Sequence, residues 1–146
     1  MISLLLLTLL AGEVDGPGVP QLVLAHKGSV VVVSLWATWC DPCVKEFPWL
    51  MDLARDRKDV TFLSVSIDDP DARVALETFV KDHKPPFPVY ARKPGKDEEF
   101  IDGVDKAWKG SVPTLLIYGK DGKRALILEG EHTRADLEKA LASVSP

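Results

Sequence analysis

Two cysteines, Cys40 and Cys43, are the residues of this sequence whose types and spacing point most directly to chemistry. Only two residues separate them, so a helix that begins at the pair brings both sulfur atoms together within one turn. A thiol of low pKa with a second thiol one turn away is the arrangement that performs thiol–disulfide exchange. The spacing therefore predicts a redox-active pair.

The stretches on either side of the pair predict a strand before it and a helix after it. Residues 30–33 are consecutive valines, which indicate a strand buried on both faces. Apolar residues recur at helical spacing over residues 44–53, and Pro42 suits a first helical turn, where its missing N–H costs nothing. Cys40 then lies at a helix N-terminus, whose free N–H groups stabilise a thiolate and lower its pKa from about 8.5.

Three other roles for the pair have less support. A zinc site needs four ligands, but the chain has only these two cysteines, and its histidines show no paired ligand spacing. A purely structural disulfide across so small a loop would constrain the unfolded chain little. A peroxidatic cysteine is supported by nothing beyond one reactive thiol. We expect neither a metal nor a cofactor.

The composition indicates one globular domain. The chain has 146 residues, of which 46% are hydrophobic and 27% charged, enough to form a real core. A net charge of −4 without a basic patch argues against a nucleic acid as partner. The sequence contains no internal repeat and no glycine-rich phosphate loop.

The order of predicted elements indicates an α/β fold. We expect strands at residues 30–35, 60–67, 114–118 and 123–128, a short extended piece at 87–90, and helices after the first two strands and after Thr133. Residues 119–122 have the Asp-Gly chemistry of a hairpin turn, whereas residues 92–99 are charged and predict a solvated loop. The result is a mixed central sheet with helices on both faces.

The N-terminal residues predict export. Residues 1–11 are apolar and uncharged, too short for a membrane-spanning helix of about 20 residues but similar to the apolar region of a secretory signal. We assign residues 1–18 to an export segment and linker, and residues 19–146 to a domain that works in the periplasm or otherwise outside the cytoplasm of a bacterium. Residues 17–20, which include two prolines and a glycine, predict a linker. No Lys or Arg precedes the apolar run, so a buried N-terminal strand or helix stays an alternative.

Three sequence segments carry a family resemblance. Trp-Ala-Thr-Trp-Cys-Asp-Pro-Cys at residues 36–43 resembles the active-site motif of the thioredoxin superfamily. Glu-Phe-Pro at residues 46–48 and Gly-Ser-Val-Pro-Thr at residues 110–114 are similar to segments of the TlpA/ResA-like extracytoplasmic thiol–disulfide oxidoreductases. The resemblance covers about residues 21–144 and implies a thioredoxin-like fold, with residues 64–90 as an additional βα unit.

The resemblance implies catalytic roles for three residues. Cys40 is the attacking cysteine and Cys43 the resolving one. Glu46 lies where the family places an acid that helps proton transfer to or from the cysteines. A carboxylate one turn beyond Cys43 can do this if it is partly buried. The alternative is a solvated glutamate on the helix surface.

The resemblance also implies a substrate-binding surface. Trp39 forms an apolar wall beside Cys40, and Pro113 lies beside the disulfide with a cis peptide bond before it. Val112 then offers its backbone to a substrate peptide that pairs as an added strand. The alternative is an ordinary trans turn before a strand, because cis bonds make up only about 5–6% of X-Pro bonds.

Together these observations predict an exported thiol–disulfide oxidoreductase that reduces protein disulfides. Its partners would be protein disulfide substrates and an upstream thiol electron donor, with the membrane contacted only through the N-terminal segment, and we expect a monomer. Two alternatives stay open: an oxidant that donates its disulfide, and a thioredoxin-fold binding module without turnover.

Overall fold

A mixed β-sheet forms the centre of the molecule, of which a computed structural model describes residues 9–144. Within these residues six strands lie in the order β1-β4-β3-β2-β5-β6. The strands are β1 (Gly12–Val14), β2 (Val30–Trp36), β3 (Val60–Ser66), β4 (Val89–Arg92), β5 (Thr114–Tyr118) and β6 (Arg124–Glu129). Strands β1 to β4 pair in parallel, whereas β5 runs antiparallel to β2 and β6 antiparallel to β5. The predicted mixed sheet is confirmed.

Helices cover both faces of the sheet, as the sequence predicts. They are α1 (Gly18–Leu24), α2 (Asp41–Asp56), α3 (Arg73–His83), α4 (Asp97–Val104) and α5 (Arg134–Val144), with one 3₁₀ turn at Pro70–Ala72. One core contains side chains from α2, α3 and α5, and the other contains side chains from α1 and α4. No helix within residues 9–144 is long and apolar enough to cross a membrane.

The run of valines in β2 serves both cores at once. Val30 and Val32 pack into the core under α2, α3 and α5, and Val31 and Val33 into the core under α1 and α4. Successive side chains of a strand point to opposite faces, so a strand covered on both sides needs apolar residues at every position. All seven residues of β2 are buried. The cysteine segment follows the carboxyl end of this strand and is therefore anchored to the centre of the sheet.

The linker predicted at residues 17–20 is wrong, because helix α1 begins at Gly18. The Asp15 carboxylate accepts a hydrogen bond from the Gly18 N–H at 2.8 Å, and Val19 and Val23 are buried. Strand β1 likewise lies within the segment that the sequence assigned to export and linker, and Leu10 packs against the core. Residues 1–8 of that segment lie outside the described residues.

The prediction of a solvated loop at residues 92–99 is wrong for its last three residues, because helix α4 begins at Asp97. Its first turn carries Asp97, Glu98 and Glu99, and negative charges there are stabilised by the helix dipole. Phe100 and Val104 then bury the apolar side of the helix. The sequence predicts only a short irregular or helical connection at residues 100–108, because two buried positions in eight residues are too weak a period to fix the start of the helix.

Candidate active site

Cys40 and Cys43 form a disulfide at the N-terminus of α2, with their Cα atoms 5.2 Å apart. Cys40 is the N-cap residue, and its Sγ accepts a hydrogen bond from the Cys43 N–H at 3.3 Å. Pro42 lies in the first turn, as predicted. Cys40 is 6% exposed and Cys43 1%, so Cys40 is the sulfur that a partner can reach.

Glu46 lies one helical turn beyond Cys43 and is only 5% exposed. The alternative of a solvated surface residue is therefore wrong. Within the described residues no hydrogen-bond donor reaches its Oε1 atom. Burial, and to a smaller extent the negative charge of Glu131, raise the pKa of Glu46 to about 7. A carboxyl group of that pKa can take up and release a proton near neutral pH.

A cavity of about 300 Å³ lies beside Glu46. Helix α2 contributes Lys45, Glu46 and Trp49 to its wall, and the segment between β6 and α5 contributes Glu131 and His132. Some of these residues, such as Lys45 and Glu131, are exposed to solvent. Glu46 therefore lies beside a cavity that reaches the surface and not within a closed core.

The segment that leads from β2 to Cys40 is held by a buried aspartate, Asp68. The Asp68 carboxylate accepts hydrogen bonds from the backbone N–H of Thr38, at 3.0 Å from Oδ2, and from its hydroxyl, at 2.6 Å from Oδ1. The Ser66 hydroxyl donates to the same carboxylate. Asp68 is 4% exposed, so the interaction fixes the backbone two residues before Cys40.

Sequence reasoning missed Asp68, which it placed at the start of a helix. One signal could have found it: Asp68 lies two residues beyond the end of β3, and β3 is the parallel neighbour of β2. The carboxyl ends of adjacent parallel strands lie at the same edge of a sheet, which is where ligand and catalytic groups gather. Glu131 and His132 were also missed, because only the folded chain brings them to α2.

The peptide bond between Val112 and Pro113 is cis, as the resemblance implies. The Ser111 carbonyl accepts hydrogen bonds from Trp108 Nε1 and from the Thr114 hydroxyl, both at 2.8 Å, which hold this turn. Thr114 pairs with Leu35 in the register of β2 and β5. The turn therefore lies at the edge of the sheet where β2 leads into the cysteine segment.

Trp39 is 65% exposed, although it directly precedes the buried Cys40. Its indole ring is therefore accessible from solvent, as the predicted apolar wall beside Cys40 requires. The structure thus brings five of the six predicted site residues to one edge of the sheet or to the first turn of α2, and Glu46 follows one turn further. No group of three potential metal ligands occurs among the residues that the structure describes.

Comparisons with known proteins agree with this geometry. The family model described as the AhpC/TSA family matches residues 20–125. The thiol–disulfide oxidoreductase ResA of Bacillus thuringiensis subsp. konkukian is 31% identical over 120 residues, which are 82% of this chain and 66% of that protein. The chain thus spans just under two thirds of that relative's length.

Two solved structures are also similar. A DsbF homologue from Corynebacterium diphtheriae has a TM-score of 0.67 and 27% identity, and the match covers 83% of this chain and 75% of that one. A thiol:disulfide interchange protein of the thioredoxin family from Chlorobium tepidum has a TM-score of 0.69 and 20% identity, with 83% of each chain covered. The second likeness shows a common fold, and the predicted thioredoxin-like fold is confirmed.

Proposed function

Since the chain belongs to the AhpC/TSA family, we propose that it is a thiol–disulfide oxidoreductase that exchanges the Cys40–Cys43 disulfide with protein substrates. The observation that carries the proposal is the cysteine pair at the N-terminus of α2, with the buried Glu46 one turn beyond it. The curated relative with 31% identity bears the name of this activity.

The first half of the reaction belongs to Cys40. Its thiolate attacks one sulfur of a substrate disulfide, the substrate S–S bond breaks, and the second substrate sulfur leaves as a thiolate that takes up a proton. A mixed disulfide then joins Cys40 to the substrate. The position of Cys40 as N-cap supports this role, because free N–H groups and the helix dipole stabilise a thiolate there.

The second half belongs to Cys43. Its thiol loses a proton and attacks the Cys40 sulfur, the mixed disulfide breaks, and the remaining substrate sulfur leaves. Two electrons have then passed from the dithiol to the substrate, and the Cys40–Cys43 disulfide has formed. The burial of Cys43 supports its role, because a substrate cannot reach this sulfur before Cys40.

Glu46 is the proton acceptor for Cys43 in this proposal. It lies three residues further along the same helix, on the same side, and its pKa of about 7 matches the pH at which the proton must move. The same carboxyl group returns the proton when the reaction runs backwards.

The substrate surface consists of Trp39, Val112 and Pro113. Trp39 presents an exposed apolar face beside Cys40. The turn before β5 holds Val112 at the same edge of the sheet, where an extended substrate peptide can pair with its backbone. We propose that this surface binds unfolded or extended protein segments that contain a disulfide.

We propose that the protein acts as a reductant outside the cytoplasm and receives electrons from an upstream thiol protein. The resemblance to TlpA/ResA-like proteins supports both statements, and the apolar residues 1–11 support export through a segment that precedes the sheet. Oxidation of substrates is the second candidate, because the Cys40–Cys43 disulfide can also accept electrons from substrate thiols by the same exchange.

Two measurements test the proposal. The reduced protein should catalyse reduction of insulin disulfides by dithiothreitol, whereas Cys40→Ser should abolish catalysis. The reduction potential of the pair separates the directions: a value near or below about −270 mV marks a reductant and one near about −120 mV an oxidant. A folded, reduced wild-type protein without any turnover would leave only a binding module.

A further inference from the structure

The segment between β6 and α5 is attached to the cis-proline turn through Gly130. The Gly130 N–H donates a hydrogen bond to the Pro113 carbonyl at 2.8 Å. The Gly130 carbonyl in turn lies 3.0 Å from Nδ1 of His132. One residue thereby connects the turn that precedes β5 with a histidine side chain.

This contact also fixes which nitrogen of His132 carries the proton. A carbonyl oxygen only accepts hydrogen bonds, so the Nδ1 atom of a neutral His132 is the donor. Its Nε2 atom then has a lone pair that can accept a proton. His132 is half-buried, Glu46 is buried and Glu131 is exposed, and all three residues line the same cavity.

The cavity is large enough for proton transfer through water. Its volume is about 300 Å³, whereas one water molecule in the liquid occupies about 30 Å³. Glu46 is one of the residues that line this space, and its buried Oε1 atom has no hydrogen-bond partner among the described residues. A buried carboxylate oxygen without a partner is costly, and a cavity of this size can admit the water through which Glu46 exchanges its proton.

We propose that His132, assisted by Glu131, is the proton exit for Glu46, so that the proton of Cys43 passes through the cavity to solvent during dithiol–disulfide exchange. This inference rests on the proposed function, and it assigns His132 a role that acts through Glu46. The Cys43 thiol gives its proton to Glu46 as its sulfur attacks Cys40. Glu46 then gives the proton through water to His132 Nε2, which releases it to solvent and leaves both residues ready for the next turnover.

The other charged groups around Glu46 are consistent with this path. Its own helix contributes the exposed Lys45, and α5 contributes the exposed Asp136. Arg134 is held away by ion pairs with Asp56 and Glu138. Histidine is the side chain best suited to pass a proton on near neutral pH, and among the described residues that line the cavity His132 is the one histidine.

The test measures the second step of the exchange, in which Cys43 resolves the mixed disulfide, separately from the first. Reduced protein is mixed with a fluorescent peptide disulfide in a stopped-flow instrument. The rate of mixed-disulfide formation and the rate of release of the second peptide are measured separately at a series of pH values. His132→Gln keeps a side-chain donor for the Gly130 carbonyl but cannot exchange the proton. We expect release at neutral pH to slow about tenfold, less than the 10²–10⁴ of a directly acting base, and mixed-disulfide formation to stay unchanged.

Rescue and a matched variant separate proton transfer from a structural role. Added imidazole should restore release in His132→Ala, and His26→Gln, at an exposed histidine after α1, should behave as wild type. Glu131→Gln, which removes a charge that raises the pKa of Glu46, should move the pH midpoint of release downward. Unchanged release in His132→Gln, equal slowing in His26→Gln, or slow release that imidazole does not restore would each overturn the inference. Failure of the proposed function would look different from failure of this inference, because the wild-type protein itself would then release no peptide.

Discussion

Thr38 donates both its backbone N–H and its hydroxyl to the carboxylate of Asp68, thirty residues further along the chain. The two residues follow neighbouring parallel strands and tie the cysteine segment to β3. The positions of Trp39 and Cys40 therefore depend on a contact that neither residue makes itself.

Asp68→Ala should both loosen this segment and destabilise the fold. It leaves the Thr38 N–H and the Ser66 hydroxyl without their acceptor, at a cost of about 1–3 kcal/mol in the free energy of unfolding. Urea unfolding measures this cost. We also expect slower attack by Cys40, because its backbone is no longer fixed. The exposed Asp71→Ala is the control, and an Asp68→Ala protein with wild-type stability and rate would contradict the positioning role.

Cys43→Ser should trap substrates on Cys40 as mixed disulfides, because the resolving thiol is absent. Non-reducing gels of cell extracts should show adducts that disappear on reduction and in the Cys40→Ser, Cys43→Ser double variant. If Cys40→Ser alone accumulates the same adducts, the attacking and resolving roles are reversed.

Glu46→Gln should lower the first thiol pKa of the reduced protein, because a nearby carboxylate disfavours a thiolate. The rate of alkylation against pH measures it for wild type and variant. The cysteines and Glu46 titrate as a coupled set, so whole curves are compared rather than single midpoints. Superimposable curves would mean that the carboxyl group does not interact with the cysteines.

Glu46 should also make stability depend on pH. Its pKa is raised from 4.5 to about 7 in the fold, so protonation favours the folded state and stability falls as pH rises between these values. The full loss above pH 7 is on the order of 3 kcal/mol, at about 1.36 kcal/mol for each pH unit.

Urea unfolding of the oxidised protein at about pH 4 and about pH 8 checks this dependence. Glu46→Gln has no charge to bury, so it should match the wild type at the lower pH and exceed its stability at the higher pH. Glu77→Gln, at an exposed position of α3, is the matched control. A Glu46→Gln protein that is less stable than wild type at about pH 8 would contradict burial of an unpaired carboxylate.

Truncation tests where the domain begins. A chain that starts at residue 9 should keep full stability and reductase activity. From the sequence alone we expect the same of a chain that starts at Gly16, but β1 makes that prediction untenable. Removing β1 breaks the hydrogen bonds from Ala11 to Val89 and from Lys93 to Val14. Each of these hydrogen bonds is worth about 0.5–1.5 kcal/mol. Thermal melting of the two truncated proteins should therefore show a lower Tm for the one that starts at Gly16.

The sequence predicts those parts of the fold whose signal is local. Four consecutive valines indicate β2, and the cysteine spacing with Pro42 indicates the start of α2. Strand β1 has only three residues and exists because it pairs with β4, almost eighty residues away, so no local pattern could reveal it. The same reason hides Asp68 and His132, because the contact of Asp68 with Thr38 and the place of His132 at the cavity beside Glu46 arise only in the folded chain. The resemblance, by contrast, gave the position of Glu46, which periodicity leaves open.

The two outer strands of the sheet also limit aggregation of the molecule. An exposed strand edge is a template on which another chain can add, and proteins limit it with short or irregular edge strands. Here one edge is the three-residue β1, and at the other edge β6 pairs with a register shift near Tyr118. Neither edge of the sheet therefore offers a long, regular strand on which another copy of the chain could add, so the fold itself limits growth of fibrils along the sheet.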